Sequence, residues 1–312
     1  MLTTGRIYSS QQENPQLWKA LDYVTAVYEP DKGVAIAKQI NYVVAFGQWT
    51  TQFFYDAGNP VGSPLGTNQG YNLEIGCANG NSVAQLDQSL IWVGASRLRG
   101  RSVYMLEGTS PVKISDRYID KYLNNDPMND IKSYVMKFSG HTLYVLTLHS
   151  SDITFVYDVD EKVWSIWSTA DGYFKGTYFT SDQQNYFIQH DDTGVVSTMN
   201  EQWGDDNGAD IVVQVITDIH DSGTTKKKFY RSLEIVGDKV VGTATVQHSD
   251  NDYQSWSTAR TVDLSVARAI LHQLGSSRRR AWKLTFVSSQ PFRIVGAEIG
   301  FDIGGLEGAT SS

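Results

Sequence analysis

The sequence predicts an all-β protein, a propeller-like array of small antiparallel sheets followed by a β-rich C-terminal lobe, with few helices. Three observations predict it. Strand-turn-strand phrases recur, among them NYVVAFGQWTTQFFYDAG, GHTLYVLTLHSSDITFVYDVDEKVWS and GYFKGTYFTSDQQNYFIQHDDTG, each closing on an acidic or glycine-bearing turn. Several short strands per period of about 40 to 50 residues is the spacing of blades, whose sheets bury both faces only by stacking round an axis. Aromatic residues make up 12% of the chain, and 27 Gly against 7 Pro favour tight turns over long helices. A pair of β-sandwiches and a mixed β-barrel are the alternatives that the same pattern allows.

In chain order, residues 1–18 read as a polar, irregular peripheral arm. Strand signals follow at 22–28, 33–39, 42–47 and 49–55, then an exposed Gly/Pro/Asn-rich loop from Ala57 to Gly70. Further strands are expected at 71–76, 82–86, 90–95, 102–106 and 112–115. The one helix expected before the C-terminal third is Asp116 to Asn125, DRYIDKYLNN. Ser115 is placed to cap it, Asp116 favours its first turn, and Ile119, Tyr122 and Leu123 form its apolar stripe.

The β pattern resumes at 132–138, 142–148, 153–157, 163–168, 173–180, 185–190 and 194–198, with Trp92, Trp164 and Phe187 expected between neighbouring sheets. The acidic stretch EQWGDDNGAD, residues 201–210, is the best internal boundary. It divides the chain into the arm (1–18), the blades (19–200) and a C-terminal lobe (201–312), which is either a closing blade or sandwich-like. Longer strands are expected there at 211–219, 229–236, 240–248, 282–288 and 292–303, with helical spacing from Val262 to Leu274 through Val266 and Ile270.

The formal charge of −8 gives the surface as a whole no long-range attraction for nucleic acid or anionic membrane. A single cysteine, Cys77, excludes an intrachain disulfide and fits a small buried apolar role in a protein folded in a reducing cytoplasm. No run approaches the ~18 apolar residues of a membrane helix, and the N-terminus lacks the apolar core of a secretion signal, so a soluble chain without membrane span is expected.

Chemistry has little support. His141, His149, His190, His220, His248 and His272 show no metal-ligand spacing, and His190-Asp191-Asp192 reads as a hydrated turn. Asp158 and Asp160 lie too close to a turn to favour a glycosidase pair. There is no GxSxG, Walker or GxGxxG motif, and CANGNS, residues 77–82, reads as a tight turn. No catalytic residue and no cofactor are expected. Three basic clusters stand out: Arg97, Arg99 and Arg101; Lys226, Lys227 and Lys228; Arg278, Arg279 and Arg280. Each is a candidate for contact with DNA backbone or with a neighbouring subunit.

The order of phrases resembles the tail nozzle, or packaged-DNA stabilisation, proteins of short-tailed bacteriophages. The matching stretches are DYVTAVYEPDKGVAIAKQINYVVAFGQWTTQFFYDAG (22–58), GCANGNSVAQLDQSLIWVGASRLRGRSVYML (76–106), PVKISDRYIDKYL (111–123) and GHTLYVLTLHSSDITFVYDVDEKVWSIWST (140–169). The resemblance implies a β-propeller-based virion subunit, made in the host cytoplasm. Such subunits form a homohexameric ring below the portal and its adaptor, with packaged double-stranded DNA held non-specifically in the lumen and tail fibre, tailspike or needle proteins attached beyond. It implies no catalytic residues. Relatives are longer at the N-terminal side, which leaves the blade count open. Trp49, Trp203 and Trp256 are candidate lateral anchors. Two other readings remain at this stage: a carbohydrate-binding or glycan-cleaving propeller, and a cytoplasmic scaffold propeller that binds peptides.

Overall fold

The computed structural model describes all residues except 12–13, 27, 60, 170–171, 183–184, 289 and 305–312. The chain forms two compact units, Met1–Met199 and Asn200–Ser312. The first unit opens with a hairpin of β1 (Arg6–Gln11) and β2 (Asn14–Thr25). The segment expected to be an irregular arm is thus largely strand. Its polar sequence conceals this because only one face is covered, with Ile7 buried and Val24 packed beside it. The strand expected at 22–28 ends at Thr25, and position 27 lies outside the described residues.

The first full sheet is a meander of β3 (Gly33–Gln39), β4 (Tyr42–Gly47), β5 (Thr51–Asp56) and β6 (Leu65–Leu73), paired in sequence order. Strand β6 corrects the expected exposed loop from Ala57 to Gly70. Its sequence LGTNQGYNL carries little strand propensity, yet Leu65, Gly66 and Thr67 pair with Asp56, Tyr55 and Phe54 and complete the ladder of β5.

The second sheet holds β7 (Gly76–Cys77), β8 (Ala84–Leu86), β9 (Ser89–Ser96), β10 (Gly100–Glu107) and β11 (Ser110–Lys113), with β7 and β8 both pairing β9. Helix α1 (Arg117–Asn125) follows. Its cap is Asp116, whose carboxylate accepts the Ile119 N–H at 2.8 Å, and not the expected Ser115. The Ser115 hydroxyl is occupied elsewhere, accepting from Val103 N–H and donating to Asp120. A third sheet, β12 (Ile131–Phe138), β13 (His141–Leu148), β14 (Ile153–Asp158), β15 (Val163–Thr169) and β16 (Gly172–Tyr173), is again a sequential meander. A three-stranded fourth, β17 (Gly176–Asp182), β18 (Asn185–His190) and β19 (Val196–Met199), ends the unit.

Alternation along each strand distributes its side chains between two seams, which explains why these strands are apolar almost throughout. In β9, Leu90 and Trp92 pack with Val44, Phe46 and Phe53 of the first sheet, while Ile91 and Val93 pack with Ile131, Tyr144 and Phe155 of the third. In β13, Tyr144 and Leu146 join that inner seam, while Leu143 and Val145 face the seam that takes Phe179 and Met199 of the fourth sheet. Trp164 packs into one seam and Trp167 into the other, so the 153–168 hairpin is a structural element that serves two interfaces. Trp92 fills a seam as expected. Phe187 does not, because Thr180 and Thr198 are its cross-strand neighbours on the other face of the fourth sheet, and Phe179 and Tyr186 make the contacts instead. The sheets approach so closely at Gly76 that a Cβ there would lie 2.3 Å from the backbone of Gln48 and Trp49.

The second unit contains β20 (Asp205–Asp206), β21 (Ala209–Ile216), β22 (Lys228–Gly237), β23 (Thr243–Ser249), β24 (Arg260–Asp263), β25 (Ala269–His272), β26 (Ser276–Ser277), β27 (Ala281–Ser288) and β28 (Ile294–Ile303). One sheet runs β20-β21-β27-β23-β24; in the other, β22 is flanked by β25 and β26 on one side and β28 on the other. Between them lies a core that includes Tyr230, Leu233 and Ile235 from β22, Val246 from β23, and Trp282 and Phe286 from β27. The helical spacing from Val262 to Leu274 is a correction. That stretch contains β24, a turn and β25, with Val262, Leu271 and Leu274 in the core and Val266 exposed.

Candidate phosphate-contact surface

Two basic clusters, 50 residues apart in sequence, meet where β22 begins, because Lys228 pairs with Ser277 and Phe229 with Ser276. Within each cluster the last cation turns inward. Lys228 is fully buried, and its ammonium donates to the carbonyls of Thr224 (2.6 Å), Lys226 (3.1 Å) and Arg278 (2.5 Å). Arg280 is 1% exposed and grips Asp250 through Nε (2.7 Å) and Nη2 (2.8 Å), while Nη1 donates to the Leu274 carbonyl. Its guanidinium lies over the rings of Tyr230 (4.3 Å) and Trp282 (5.1 Å). A buried cation needs such a complete set of partners, because an unpaired one would cost several kcal/mol of lost hydration.

The first cations of each cluster stay outside. Lys226, Lys227, Arg278 and Arg279 are exposed. Arg279 pairs with Asp252, whereas Lys226, Lys227 and Arg278 form no ion pair among the described residues. Arg278 and Arg279 border an open depression of about 620 Å³, lined also by Asp221, Thr225, Asp250, Ser276 and Ser277. The Ser277 hydroxyl is buried there without a hydrogen-bond partner. Asp250 is held by Arg280, so it opposes an incoming anion less than its formal charge implies. Free cations with hydroxyls beside them form a surface suited to phosphate oxygens, without base readout.

The third cluster belongs to the first unit, with Arg97 and Arg99 in the β9–β10 turn and Arg101 in β10. Arg97 pairs with Glu29 at 3.2 Å, Arg99 is exposed, and Arg101 donates to the carbonyls of Leu123 and Asp126 at the C-terminal end of α1. Arg101, Lys228 and Arg280 are therefore corrected from candidate contacts to structural cations. Residues that sequence reasoning missed are Thr225, Ser276, Ser277, Asp221 and Asp250. A signal for the inward turn was present in strand phase, since Lys228 keeps step with buried Tyr230, and Arg280 with Trp282 and Phe286.

His248 lies behind this surface, its ring 5.8 Å from Trp282 and its Nε2 4.0 Å from Asp250. Burial first, and then the Arg280 cation, hold its pKa below the ordinary 6.5, with Arg260 acting in the same direction and Asp250 opposing. The unfolded chain then takes up this proton before the folded one does, so stability falls as pH drops through about 6.5. Denaturant midpoints of the wild type measured from pH 7.5 to 5.5 are expected to decline, and His248→Gln to flatten part of that decline. An unchanged slope in the variant would remove His248 from the account.

The stretches weighed for chemistry and read as turns serve the fold. Asp191 is not a free turn acid, since its carboxylate accepts from Tyr173 OH (2.8 Å) and lies 3.0 Å from His149 Nε2. Asp158 accepts the N–H groups of Asp160 and Glu161, and Asp160 that of Thr142. In CANGNS, Asn79 caps a short 3₁₀ turn at Gly80–Ser82, and the thiol of fully buried Cys77 is pushed up to about 12 by burial. Among the described residues, no three His, Cys, Asp or Glu side chains gather as metal ligands, and no helix is long and apolar enough to cross a membrane. Trp203 is exposed, whereas Trp49 and Trp256 are half-buried.

Sequential small meanders that share apolar seams define a protein of the β-propeller class. The family model described as "Bacteriophage P22 Gp10, beta-propeller" matches residues 1–204, and the chain belongs to that family of phage structural proteins, which makes it a virion component. No curated protein matches it. Among solved structures, the AfRom2 CNH domain is 16% identical over 61% of this chain, with a TM-score of 0.27; the match spans only 60% of that chain. The exo-beta-1,3-galactanase of Phanerochaete chrysosporium, solved with galactose, is 7% identical over 95% of this chain and 75% of its own, with a TM-score of 0.26. A glycoside hydrolase is 11% identical over 87% and 85%, with a TM-score of 0.28. Likenesses at these scores carry no argument about fold or activity.

Proposed function

We propose that the chain is a tail nozzle subunit, a non-catalytic ring component that extends or closes the DNA channel below the portal-adaptor complex, retains packaged DNA and anchors distal tail parts. The observation that carries this reading is the family match over residues 1–204. The stacked sheets support it, because their apolar residues are committed to seams and their acids to turns and ion pairs, which suits a scaffold better than a reactive cleft. In this reading the subunit forms a homohexameric ring through one repeated heterologous contact, and the lumen is neutral or acidic on average with a few cationic positions. An acidic average lets DNA pass, while Lys226, Lys227 and Arg278 touch its backbone locally.

Native mass measurement with and without a portal-adaptor complex tests the assignment. Closed rings of six, or docking onto the complex, are expected; a persistent monomer that ignores the complex and hydrolyses a glycan would overturn it. The phosphate contact has its own test in double-stranded DNA binding across a salt series. Replacing Lys226, Lys227 and Arg278 together by Ala is expected to reduce the slope of log K against log salt by roughly 2 to 3, since each neutralised phosphate contributes about 0.9. An unchanged slope would move the DNA contact elsewhere.

A further inference from the structure

Strand β21 is an unguarded sheet edge. All eight of its residues, ADIVVQVI, are exposed, including Ile211, Val212, Val213, Val215 and Ile216. It pairs β27 from Ile211 to Ile216 on one side, whereas β20 reaches only Ala209 and Asp210 on the other. From Ile211 to Ile216, the second side has no strand partner among the described residues, and its side chains are uncharged and apolar apart from Gln214. Natural sheets blunt such edges with Lys, Pro, a bulge or a covering segment, and this strand has no Lys or Pro of its own. What fits is an extended strand with apolar side chains, added by backbone hydrogen bonding.

The same chain carries a strand of that description. The outer part of β2, residues 14–21 with sequence NPQLWKAL, is exposed at every position, with Leu17, Trp18 and Leu21 among its side chains. It is loosely held by its own hairpin, where the pairing shifts register around Ser10↔Trp18 and Gln11↔Asn14. Its one charge is Lys19, while the approach to β21 carries exposed Asp205, Asp206 and Asp210. Donor and acceptor thus match in form, apolarity and charge, yet each stays exposed within one chain. Two different complementary patches on one chain generate heterologous contacts, which close into a ring when the rotation between copies closes and otherwise give a filament.

We propose that the β2 arm of one copy adds as a strand to the β21 edge of the next copy, which forms the repeated lateral contact of the assembly. This rests on the ring reading above and specifies the residues that make it. A strand of eight residues spans about 26 Å, and the six after Pro15, Gln16 to Leu21, are enough to pair along Ile211–Ile216.

The test uses the full chain with two variants, Leu17→Cys and Val213→Cys, expressed separately and together, and a short bis-maleimide cross-linker; native Cys77 is fully buried. The co-expressed pair is expected to give covalent dimers and nothing larger, the double variant in one chain higher ladders, and each single variant alone none. Val213→Lys is expected to abolish the oligomer in native mass measurement while far-UV circular dichroism stays unchanged. Self-cross-linking of Val213→Cys alone, absence of cross-links in an intact ring, or a ring that tolerates Val213→Lys would overturn the arm-to-edge contact and leave the nozzle assignment standing. A wild type that stays monomeric at micromolar concentration both alone and with a portal-adaptor complex would remove both.

Discussion

Trp92→Ala is expected to lower the unfolding midpoint of the first unit by roughly 6 to 20 °C. Trp92 is fully buried, with its ring 5.3 Å from that of Phe46 across the seam and 6.0 Å from that of Tyr104. Its indole N–H donates to the Gly76 carbonyl at 3.1 Å, close to where the two sheets approach most tightly. Truncation removes the ring, leaves a cavity between two sheets, and takes one donor from the Gly76 carbonyl. Such changes cost about 3 to 5 kcal/mol, and each kcal/mol shifts the midpoint of a unit this size by about 2 to 4 °C. Leu98→Ala is the control, because this residue of the same unit is 95% exposed and surface substitutions usually stay within about 0.5 kcal/mol. Calorimetry of both variants checks the contrast. Equal midpoints would mean that the seam is not what holds the sheets together.

Arg280→Ala is expected to destabilise the second unit by about 2 to 4 kcal/mol without weakening the attachment of DNA to chains that remain folded. Removing the guanidinium leaves Asp250 without its partner, unpairs the Leu274 carbonyl and opens the space between Tyr230 and Trp282. Breaking a buried pair costs about 3 to 5 kcal/mol, reduced here because the Asp250 side chain is 38% exposed and water reaches it. Arg280→Lys is expected to rescue little, since an ammonium reproduces neither the two-pronged grip nor the stacking. Arg280→Met, which keeps volume and discards charge, is expected to recover part of the loss. Urea unfolding gives the first quantity and DNA binding of the folded fraction the second. Wild-type stability together with lost DNA binding would return Arg280 to the contact surface.

Two arginines of one triplet, Arg278 and Arg280, show how far the residues alone carried the site. The clusters were visible as charge, but charge says nothing about direction. Direction came from strand phase, which puts Lys228 and Arg280 on the core side with Tyr230 and Trp282. That phase was legible only once each cluster was attached to its strand. Their meeting was not legible at all, because pairing Lys228 with Ser277 is a long-range choice that no local pattern encodes. The all-β class was legible for the opposite reason. Runs such as LIWVGA and LYVLTL bury both faces, so their apolar continuity survives in sequence. Strand β6 escaped because LGTNQGYNL is recruited by its neighbour's ladder and not by its own propensity. The segment from Val262 to Leu274 misled through a spacing that a turn between two short strands imitates.

The most direct test of the assignment is cryo-electron microscopy of the assembled particle, with density assigned to this chain. Copies arranged as a ring on the tail axis, beneath the portal-adaptor complex and surrounding the DNA channel, are expected. Density for the chain as isolated copies away from that axis, or a mature particle that lacks it, would contradict the account.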